Sequence, residues 1–406
     1  MKVKASRTAE FLARKTKKRI LITIRENSEI SRLEIARLTG LSTATVTRVV
    51  DSLMSDDDLV EERGNISLPK GRPRKPLHFK GQDKYIIGID LGTTSIRGVL
   101  SDLNLEAIKE IEIVTEAHKG YKHVLSRVVE VVHSLQNTSL IDSSKIRGVG
   151  LAVAGLINTS TEAVEYSPAF EWNNIKVKEI LQKEIDLPLF YDNVSRLMAL
   201  GELQFGKGRN YHNFVTINAG YGIGAGIIFN KKLFYGTDGM AGEFGHVPVF
   251  GDNLITCSCG KSNCLSAYSS GDAIARRARI KLEEGQQSIL LDLSGGELDR
   301  INAEMVAKAY EQGDRLAQEI FIEGMEHLGS AMAGLINVLN PEAIFVGGGL
   351  SLNGPVFWDN LVRVVNKNVL DKRSTKCVIE PVTYPGKAAI FGAVGLVLNE
   401  VMNFRI

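Results

Sequence analysis

The first sixty residues repeat apolar side chains three and four positions apart, which is the spacing of one face of a helix. A basic start followed by an apolar run at 20–24 predicts a first helix over about residues 15–27. Ser31 is followed three positions later by Glu34, the spacing of a capping box, which predicts a second helix that reaches about Thr39. The chain therefore begins with helices.

A third helix is predicted after a short turn. Gly40 can turn the chain, and Ser42 can cap a helix that extends to about Leu53, with valines on its inner face. Two helices joined by such a turn form a helix-turn-helix, whose second helix enters the major groove of DNA. We expect contacts to bases and phosphates from Ser42, Thr43, Thr45, Thr47 and Arg48. A small helical bundle with a threonine-rich surface is the alternative.

A wing is predicted directly after the third helix. Three aspartates at 56–58 end that helix, and residues 59–62 and 66–68 have the composition of two short strands. Gly64 and Asn65 between them are typical of a hairpin turn. The first 68 residues are therefore predicted to form a winged helix-turn-helix domain.

The next segment, residues 69–82, is basic and is predicted to link this domain to the rest of the chain. Residues 70–76 read Lys-Gly-Arg-Pro-Arg-Lys-Pro, an extended run that is narrow enough for the minor groove of DNA. Arg72 and Arg74 would sense the negative potential of that groove. A flexible charged linker would have the same composition.

From Tyr85 the pattern changes to buried strands alternating with amphipathic helices, which indicates an α/β body. Strands are predicted near residues 85–91, 99–100, 111–114 and 146–153. Helices are predicted at 118–135, at 194–205 and, as a long helix that stops before Pro341, at about 314–339.

Three glycine-rich turns follow predicted strands in this body. Their residues are Asp90, Gly92, Thr93 and Thr94 in the first turn, Gly220 and Gly222 in the second, and Gly347 and Gly348 in the third. Such turns present backbone N–H groups and hydroxyls to phosphate, and an acid such as Asp90 can lie near a cation. Three of them predict two related halves around a cleft.

Three of the four cysteines lie within eight positions of one another. Cys257, Cys259 and Cys264, with His246 eleven residues upstream, supply enough donors for a tetrahedral zinc site. A disulfide would leave one cysteine of the cluster unpaired, and free thiols are a further alternative. Cys377 lies in an apolar stretch and is predicted to be a small buried residue.

The charge of the chain is unevenly distributed. Residues 1–80 carry 18 Lys and Arg against 10 Asp and Glu, whereas the other 326 residues carry 31 against 37. A basic head on a mildly acidic body is typical of a protein that binds a polyanion. The 406 residues are 44% apolar, without an apolar run long enough for a membrane span or a signal peptide. We therefore expect a cytoplasmic protein with two to three domains and no membrane contact.

Together these motifs resemble the ROK family, which unites bacterial sugar kinases with sugar-responsive repressors. The run from Gly242 to His246, followed by the three cysteines, resembles the family's sugar and zinc signature, and the glycine turns resemble its nucleotide-binding turns. The resemblance implies an α/β body of the actin-like ATPase (ribonuclease H-like) fold over residues 83–406. Its small lobe would comprise about 83–195 plus the C-terminal helix, and its large lobe about 196–386. The basic head resembles the repressor branch of the family.

Several residues depart from the kinases that the chain resembles. Asp192 matches the catalytic base, but the departing positions are Ala169, Tyr191, Tyr221, Asn263 and Ser266. Each lost group removes a contact to sugar or phosphate. We therefore expect a sugar-responsive DNA-binding repressor in which Asp192, Asn193, Glu243 and His246 contact the sugar, and structural Zn²⁺ braces the cleft.

Three alternatives stay open. Asp192 could simply cap the helix that follows it. The chain could be an active ATP-dependent kinase for a hexose or an N-acetylhexosamine, using ATP and Mg²⁺, with Asp192 as the base. It could also bind nucleic acid nonspecifically without a small ligand. For the repressor, a homodimer or higher homo-oligomer on double-stranded operator DNA is expected, because one helix-turn-helix gives little specificity.

Overall fold

The computed structural model describes residues 2–27, 29–64, 75–158, 161–252, 255–370 and 376–401. Its helices are α1 (Lys2–Glu26), α2 (Arg32–Thr39), α3 (Thr43–Ser55), α4 (Tyr121–Gln136), α5 (Val177–Leu181), α6 (Val194–Gln204), α7 (Ser266–Ser269), α8 (Gly271–Glu283), α9 (Leu290–Leu293), α10 (Ala303–Glu311), α11 (Arg315–Leu339), α12 (Gly354–Asn368) and α13 (Ala388–Val401). Its strands are β1 (Val60–Glu62), β2 (Leu77–Phe79), β3 (Tyr85–Leu91), β4 (Ser95–Asp102), β5 (Ala107–Val114), β6 (Ile146–Val153), β7 (Leu156–Asn158), β8 (Ala163–Ser167), β9 (Trp172–Ile175), β10 (Leu189–Asn193), β11 (Phe214–Ala219), β12 (Ile223–Phe229), β13 (Lys232–Leu233), β14 (Ala343–Gly347) and β15 (Val378–Pro381).

The predicted helix-turn-helix is present as α2 and α3. Ser31 accepts a hydrogen bond from the Glu34 amide while the Glu34 side chain accepts one from the Ser31 amide, so the capping box is complete. Gly40 ends α2 in the left-handed conformation with φ of 64°, and Ser42 caps α3. α3 runs two residues beyond its predicted end.

The described part of the wing includes a strand that was not predicted. The predicted second strand at 66–68 and both arginines of the Gly-Arg-Pro segment, Arg72 and Arg74, lie outside the described residues. The described partner of β1 is β2, which pairs with it antiparallel and lies in the segment predicted as a linker. Leu77 of β2 is fully buried, and this burial stabilises the pairing of β2 with β1. The Gly-Asn dipeptide at 64–65 had instead predicted a partner strand at 66–68. The basic segment therefore connects the two wing strands in the chain.

The body contains two five-stranded sheets with the same plan. In the first, the order is β10-β6-β3-β4-β5, and in the second it is β13-β12-β11-β14-β15. Each consists of three parallel strands extended by an antiparallel meander that starts at its first strand. Numbered from the first strand of each half, both sheets have the order 5-4-1-2-3, so the predicted relation between the two halves is confirmed in their topology.

The helices α6 and α13 pack against each other between the two sheets. α6 also lies on β11 and β12, and α13 lies on β3, β6 and β10. The approach is very close, because a methyl group at Gly392 would overlap the carbonyl of Leu197, and one at Gly150 would overlap that of Ala393. The contact therefore depends on glycine.

The N-terminal domain shares a hydrophobic core with the body. Ile20 and Ile24 of α1 belong to the same buried cluster as Val394 and Val397 of α13. Arg25 donates a 2.9 Å hydrogen bond to the carbonyl of Gln204, the last residue of α6, and lies over the Phe205 ring. The domain is docked on the body through these contacts. In the described part of the chain, no helix combines the length and apolarity needed to cross a bilayer.

Candidate functional site

Four potential metal ligands meet in one loop, residues 246–264, which we call the zinc loop. One ring nitrogen of His246 and the three Sγ atoms of Cys257, Cys259 and Cys264 all lie within 4.8 Å of one another. The Cys259 and Cys264 sulfurs are 3.4 Å apart, and the Cys257 sulfur is 3.7 Å from His246 Nδ1. The turn is closed by a 2.7 Å bond from the Cys257 amide to the Lys261 carbonyl.

This donor set fits zinc. Bond lengths of about 2.3 Å to sulfur and about 2.0 Å to nitrogen place tetrahedral donors roughly 3.5–3.8 Å apart. All three cysteines are free, and the 3.4 Å sulfur separation is well beyond the about 2.05 Å of a disulfide. Burial and the neighbouring thiols raise the pKa of Cys264 to about 12, so its thiolate form needs a cation beside it.

Glu243 lies beside the zinc loop, between two glycines that allow close packing. Gly242 has φ of 95° and approaches the Ala225 carbonyl, and Gly245 packs on Ser266, so neither site accepts a larger residue. The Glu243 carboxylate keeps 33% of its surface exposed and lies 3.9 Å from His246 Nε2. Burial raises the pKa of Glu243, while His246 and Arg196 oppose that shift. His246 can therefore direct Nδ1 to a metal and Nε2 towards Glu243.

Asp192 is held in an ion pair with Arg196, one helical turn further on. Asp192 is only 4% exposed, and its Oδ1 atom accepts a 2.8 Å hydrogen bond from Arg196 Nε, with Nη2 at 2.5 Å. Its Oδ2 atom accepts a 3.2 Å bond from the Tyr235 hydroxyl. Both oxygens of this carboxylate are therefore engaged within the protein.

Asn193 is engaged in a similar way. Its side-chain oxygen caps α6 by accepting bonds from the Ser195 and Arg196 amides, and its amide nitrogen donates to the Gly155 carbonyl at 2.9 Å. The alternative in which Asp192 caps this helix does not hold, because Asn193 is the N-cap. The junction of β10 and α6 is thus fixed by its own side chains.

The three glycine turns converge on one cavity of about 970 Å³. Thr94 of the first turn, Gly220 of the second and Gly349 directly after the third line its wall. Gly348 has φ of 90° and packs on the Ala219 carbonyl, which brings the second and third turns together. Thr93 and Gly92 lie in the first turn beside Thr94, whereas a side chain at Gly222 would point into open space.

Tyr221 and charged side chains give this cavity a mixed character. Tyr221 is half-exposed in its wall, and burial together with Asp272 raises its pKa. The charged lining residues are Asp272, Arg279, Glu304, Lys308 and Glu311. Three acids against two bases make this an unfavourable wall for a triphosphate.

Asp90 at the first turn is also paired. The register of β3 and β4 places Arg97 directly opposite Asp90, and Arg97 Nη2 lies 2.5 Å from its Oδ2 atom. Arg97 also donates a 2.8 Å bond to the Gly386 carbonyl ahead of α13. Burial raises the pKa of Asp90, and Arg97 opposes that shift. The predicted cation near Asp90 is therefore supplied, at least at Oδ2, by the Arg97 side chain of the protein itself.

The predicted DNA face is partly occupied by helix capping. Ser42 and Thr45 bond to each other at 2.9 Å, and Ser42 accepts from the Thr45 amide. Thr43, Thr47 and Arg48 are exposed on the same helix. These three side chains are available to a nucleic acid.

Sequence reasoning missed Arg97, Arg196 and Tyr235. The spacing of Asp192 and Arg196 is that of a helical ion pair and could have been noticed. Arg97 is found only when the hairpin register is known, and Tyr235 reaches Asp192 across the fold.

The chain matches two family models. The ROK family model matches residues 86–400, and a model of winged helix-turn-helix DNA-binding domains matches residues 14–57. A xylose repressor of Caldicellulosiruptor bescii is 29% identical over 386 residues, covering 95% of this chain and 96% of the relative. A glucokinase of Thermotoga maritima is 31% identical over 277 residues, covering 68% of this chain and 85% of the relative.

Solved structures resemble either most of the chain or nearly all of it. A ROK family glucokinase from Streptomyces griseus, in complex with glucose and AMPPNP, superposes with a TM-score of 0.68 at 28% identity and covers 76% of this chain and 97% of its own. A ROK family transcriptional regulator, a homologue of the E. coli MLC protein, has a TM-score of 0.80 at 23% identity and covers 97% of this chain and 100% of its own. The predicted fold, an actin-like two-lobed α/β body after a winged helix-turn-helix, is confirmed.

Proposed function

Because this chain belongs to the ROK family and begins with a winged helix-turn-helix, we propose that it is a transcriptional repressor controlled by a sugar or sugar derivative. The observation that carries the proposal is the extent of the matches. The Caldicellulosiruptor bescii xylose repressor aligns along 95% of the chain, N-terminal domain included, whereas the Thermotoga maritima glucokinase aligns with 68%. The N-terminal domain packs on α13 of the body, which supports a direct structural connection between the sugar cleft and the DNA-binding domain.

Glu243 is the principal sugar ligand in this proposal. Its carboxylate is partly exposed, is held between two closely packed glycines and can accept bonds from sugar hydroxyls. His246 contributes through its Nε2 side, while its Nδ1 atom and the three cysteines hold a structural Zn²⁺. The metal, when bound, fixes the loop that carries His246. Asp192 and Asn193 shape the cleft through Arg196 and Gly155.

Phosphoryl transfer is not favoured by the charges around the cleft. Phosphorylation needs a free carboxylate to accept the hydroxyl proton and cationic groups at the phosphates. Asp192 is paired with Arg196, Asp90 is paired with Arg97, and Tyr221 occupies the second turn. The residues 189–196 contain no other acid. These observations support a body that binds a sugar without consuming ATP.

DNA binding by a homodimer completes the proposal. Two winged helix-turn-helix domains would place Thr43, Thr47 and Arg48 in successive major grooves, with Arg72 and Arg74 of the wing segment in the adjacent minor groove. A sugar that closes the cleft would favour the arrangement in which the paired domains no longer match both half-sites. The sugar can lower DNA affinity only as far as it binds that arrangement more tightly than the other.

A fluorescence-anisotropy titration tests this function. The probe is labelled DNA from upstream of the protein's own coding region, and a panel of pentoses, hexoses and amino sugars, with xylose and glucose included, is added to the complex. We expect one sugar to lower operator affinity at least about fivefold. Glu243→Gln should retain DNA binding and lose the response, and Arg48→Ala should lose DNA binding. Arg72→Ala should weaken binding and reduce the salt slope by about one.

A coupled ATP-consumption assay with the same panel separates the two functions. Robust turnover with any sugar would establish the kinase instead. If no sugar changes the affinity for the operator, the sugar-responsive repressor is ruled out.

A further inference from the structure

Arg196 connects three parts of the molecule from a fully buried position. Its side chain is 1% exposed, and its guanidinium contacts Asp192 at the end of β10. The Nη1 atom donates a 2.8 Å bond to the carbonyl of Gly239, and the guanidinium lies 5.2 Å above the Tyr235 ring. One cation thus joins β10, α6 and residues 235–243, which we call the 235–243 loop.

The 235–243 loop is rich in glycine, so it contributes few side chains of its own to these contacts. Gly236, Gly239 and Gly242 all have positive φ values, between 72° and 95°, and contribute no side chains. The Tyr235 hydroxyl returns to Asp192, so the start of the loop is fixed to the same ion pair. The loop ends at Glu243. The position of the proposed sugar ligand therefore depends on Arg196 together with the 2.8 Å hydrogen bond that the Ala225 amide donates to the Gly242 carbonyl.

The other end of α6 meets the DNA-binding domain. The helix has eleven residues, about 16 Å in length, with Arg196 in its first turn. Its last residue, Gln204, accepts the hydrogen bond from Arg25 of α1, and Arg25 stacks on the adjacent Phe205. A single rigid element therefore runs from the 235–243 loop to the N-terminal domain.

We propose that Arg196 is the positioning residue of the sugar site, which holds the 235–243 loop on α6 and so couples cleft occupation to the DNA-binding domain. This inference rests on the proposed function. Asp192 supplies the countercharge that makes a buried arginine tolerable, and the Gly239 carbonyl supplies the link to the loop. A sugar that draws Glu243 towards its hydroxyls pulls on α6 through Gly239 and Arg196.

The experiment compares stability with sugar response in four variants. Arg196→Met removes the positive charge and the hydrogen bonds to Asp192 and to the Gly239 carbonyl. Asp192→Asn removes only the negative charge. The double variant Asp192→Asn/Arg196→Met removes both charges, so no unpaired ion remains buried. Arg315→Met is the matched control, because that arginine forms an exposed pair with Glu319 at the same helical spacing. Melting temperature, operator affinity and the sugar concentration for half-maximal release are measured for each.

We expect Arg196→Met to lower the melting temperature and to raise the sugar concentration for half-maximal release about tenfold, with sugar-free operator affinity within about twofold of the parent. The double variant should regain much of the melting temperature but not the sugar response, since Gly239 still lacks its donor. If Arg196 only stabilised the fold, the double variant would regain both the melting temperature and the sugar response. Arg315→Met should change neither.

The outcomes separate the two proposals. If the parent protein responds to a sugar and the double variant responds at the same concentration, the role of Arg196 is ruled out while the repressor function stands. If Arg196→Met is too unstable to purify, the sugar response of the double variant alone decides between these outcomes. If no sugar in the panel releases the parent protein from DNA, both proposals fail.

Discussion

Asp90 and Asp192 are both neutralised within the protein, each by an arginine that its local backbone brings to it. Arg97 faces Asp90 across a hairpin, and Arg196 follows Asp192 by one helical turn. A carboxylate bound to a fixed guanidinium is a weak ligand for Mg²⁺ and a poor proton acceptor, because either role needs the charge that the pair already uses. Glu243 is different, since no ion pair closer than 3.9 Å is described for it.

Replacement of Arg97 by methionine tests the Asp90 pair. The variant leaves a buried carboxylate without its partner, so the free energy of unfolding should fall by about 2 kcal/mol, less than for a fully buried pair because Arg97 is 38% exposed. Denaturant unfolding at pH 7 measures the change. Arg300→Met, which breaks an exposed pair with Glu297, should stay within about 0.5 kcal/mol of the parent.

The same variant has a defined dependence on pH. Burial raises the pKa of Asp90 in the folded protein, so ionisation of this group opposes folding as the pH rises through that pKa. Arg97 offsets this cost, and its removal raises the pKa further. The stability difference between parent and variant should therefore shrink as the pH is lowered from 7, because the carboxyl becomes protonated in both proteins. A difference that grows on acidification would contradict the assignment.

At the scale of elements, the zinc loop brings its four potential metal ligands together. Within it, the Val249 amide donates to the Asn263 carbonyl and the Cys257 amide donates to the Lys261 carbonyl. A metal bound by His246 and the three cysteines would add its own bonds to these turns. The loop also touches the opposite lobe, because the Tyr166 hydroxyl of β8 donates to the Ser258 carbonyl at 3.1 Å.

Metal analysis of Cys259→Ser tests the site. The purified parent should contain about one zinc per chain by plasma mass spectrometry, and the variant should lose most of it together with several degrees of melting temperature. Cys377→Ser is the matched control: Cys377 is far from the cluster in the chain, and burial raises the pKa of its thiol to about 11. Equal zinc content in both variants would exclude the site.

Elements whose signals are local were predictable from the sequence. The capping box at Ser31, the strand β6 and the end of α11 at Leu339 all lie where sequence patterns placed them. The wing was not fully predicted, because its second strand is identified by burial of Leu77 against the domain core. The pair of Asp90 and Arg97 was missed for a similar reason, because it depends on the register of β3 and β4. The i,i+4 spacing of Asp192 and Arg196 is visible in the sequence, but the loop that folds over Arg196 is not.

At the scale of the whole molecule, Arg25 makes one of the polar contacts between the N-terminal domain and the body, and Lys18, which donates a 3.1 Å hydrogen bond to Asn399 of α13, makes another. Burial lowers the pKa of Arg25, which reflects the cost of holding this cation away from water. The hydrogen bond to Gln204 and the stacking on Phe205 compensate for part of that cost. The interface is therefore selective for one docking geometry.

Replacement of Arg25 by methionine should uncouple the two parts. We expect sugar binding measured by calorimetry to stay within about twofold of the parent, because the cleft is untouched, while sugar-induced release of the operator weakens at least about fivefold. Arg315→Met should leave both unchanged. Full release with the variant would show that the signal reaches DNA by another route.

The packing of α6 and α13 has a consequence for how the cleft can act on the DNA-binding domain. α6 follows the fifth strand of the first sheet but lies on the second, and α13 follows the fifth strand of the second sheet but lies on the first. The last helix of each half therefore packs on the sheet of the other half. The DNA-binding domain packs on α13 and Ile86, while its Arg25 contacts the end of α6, so it touches the last helix of both halves. In the proposed homodimer, closure of the cleft would therefore act on each DNA-binding domain through the packed pair of α6 and α13.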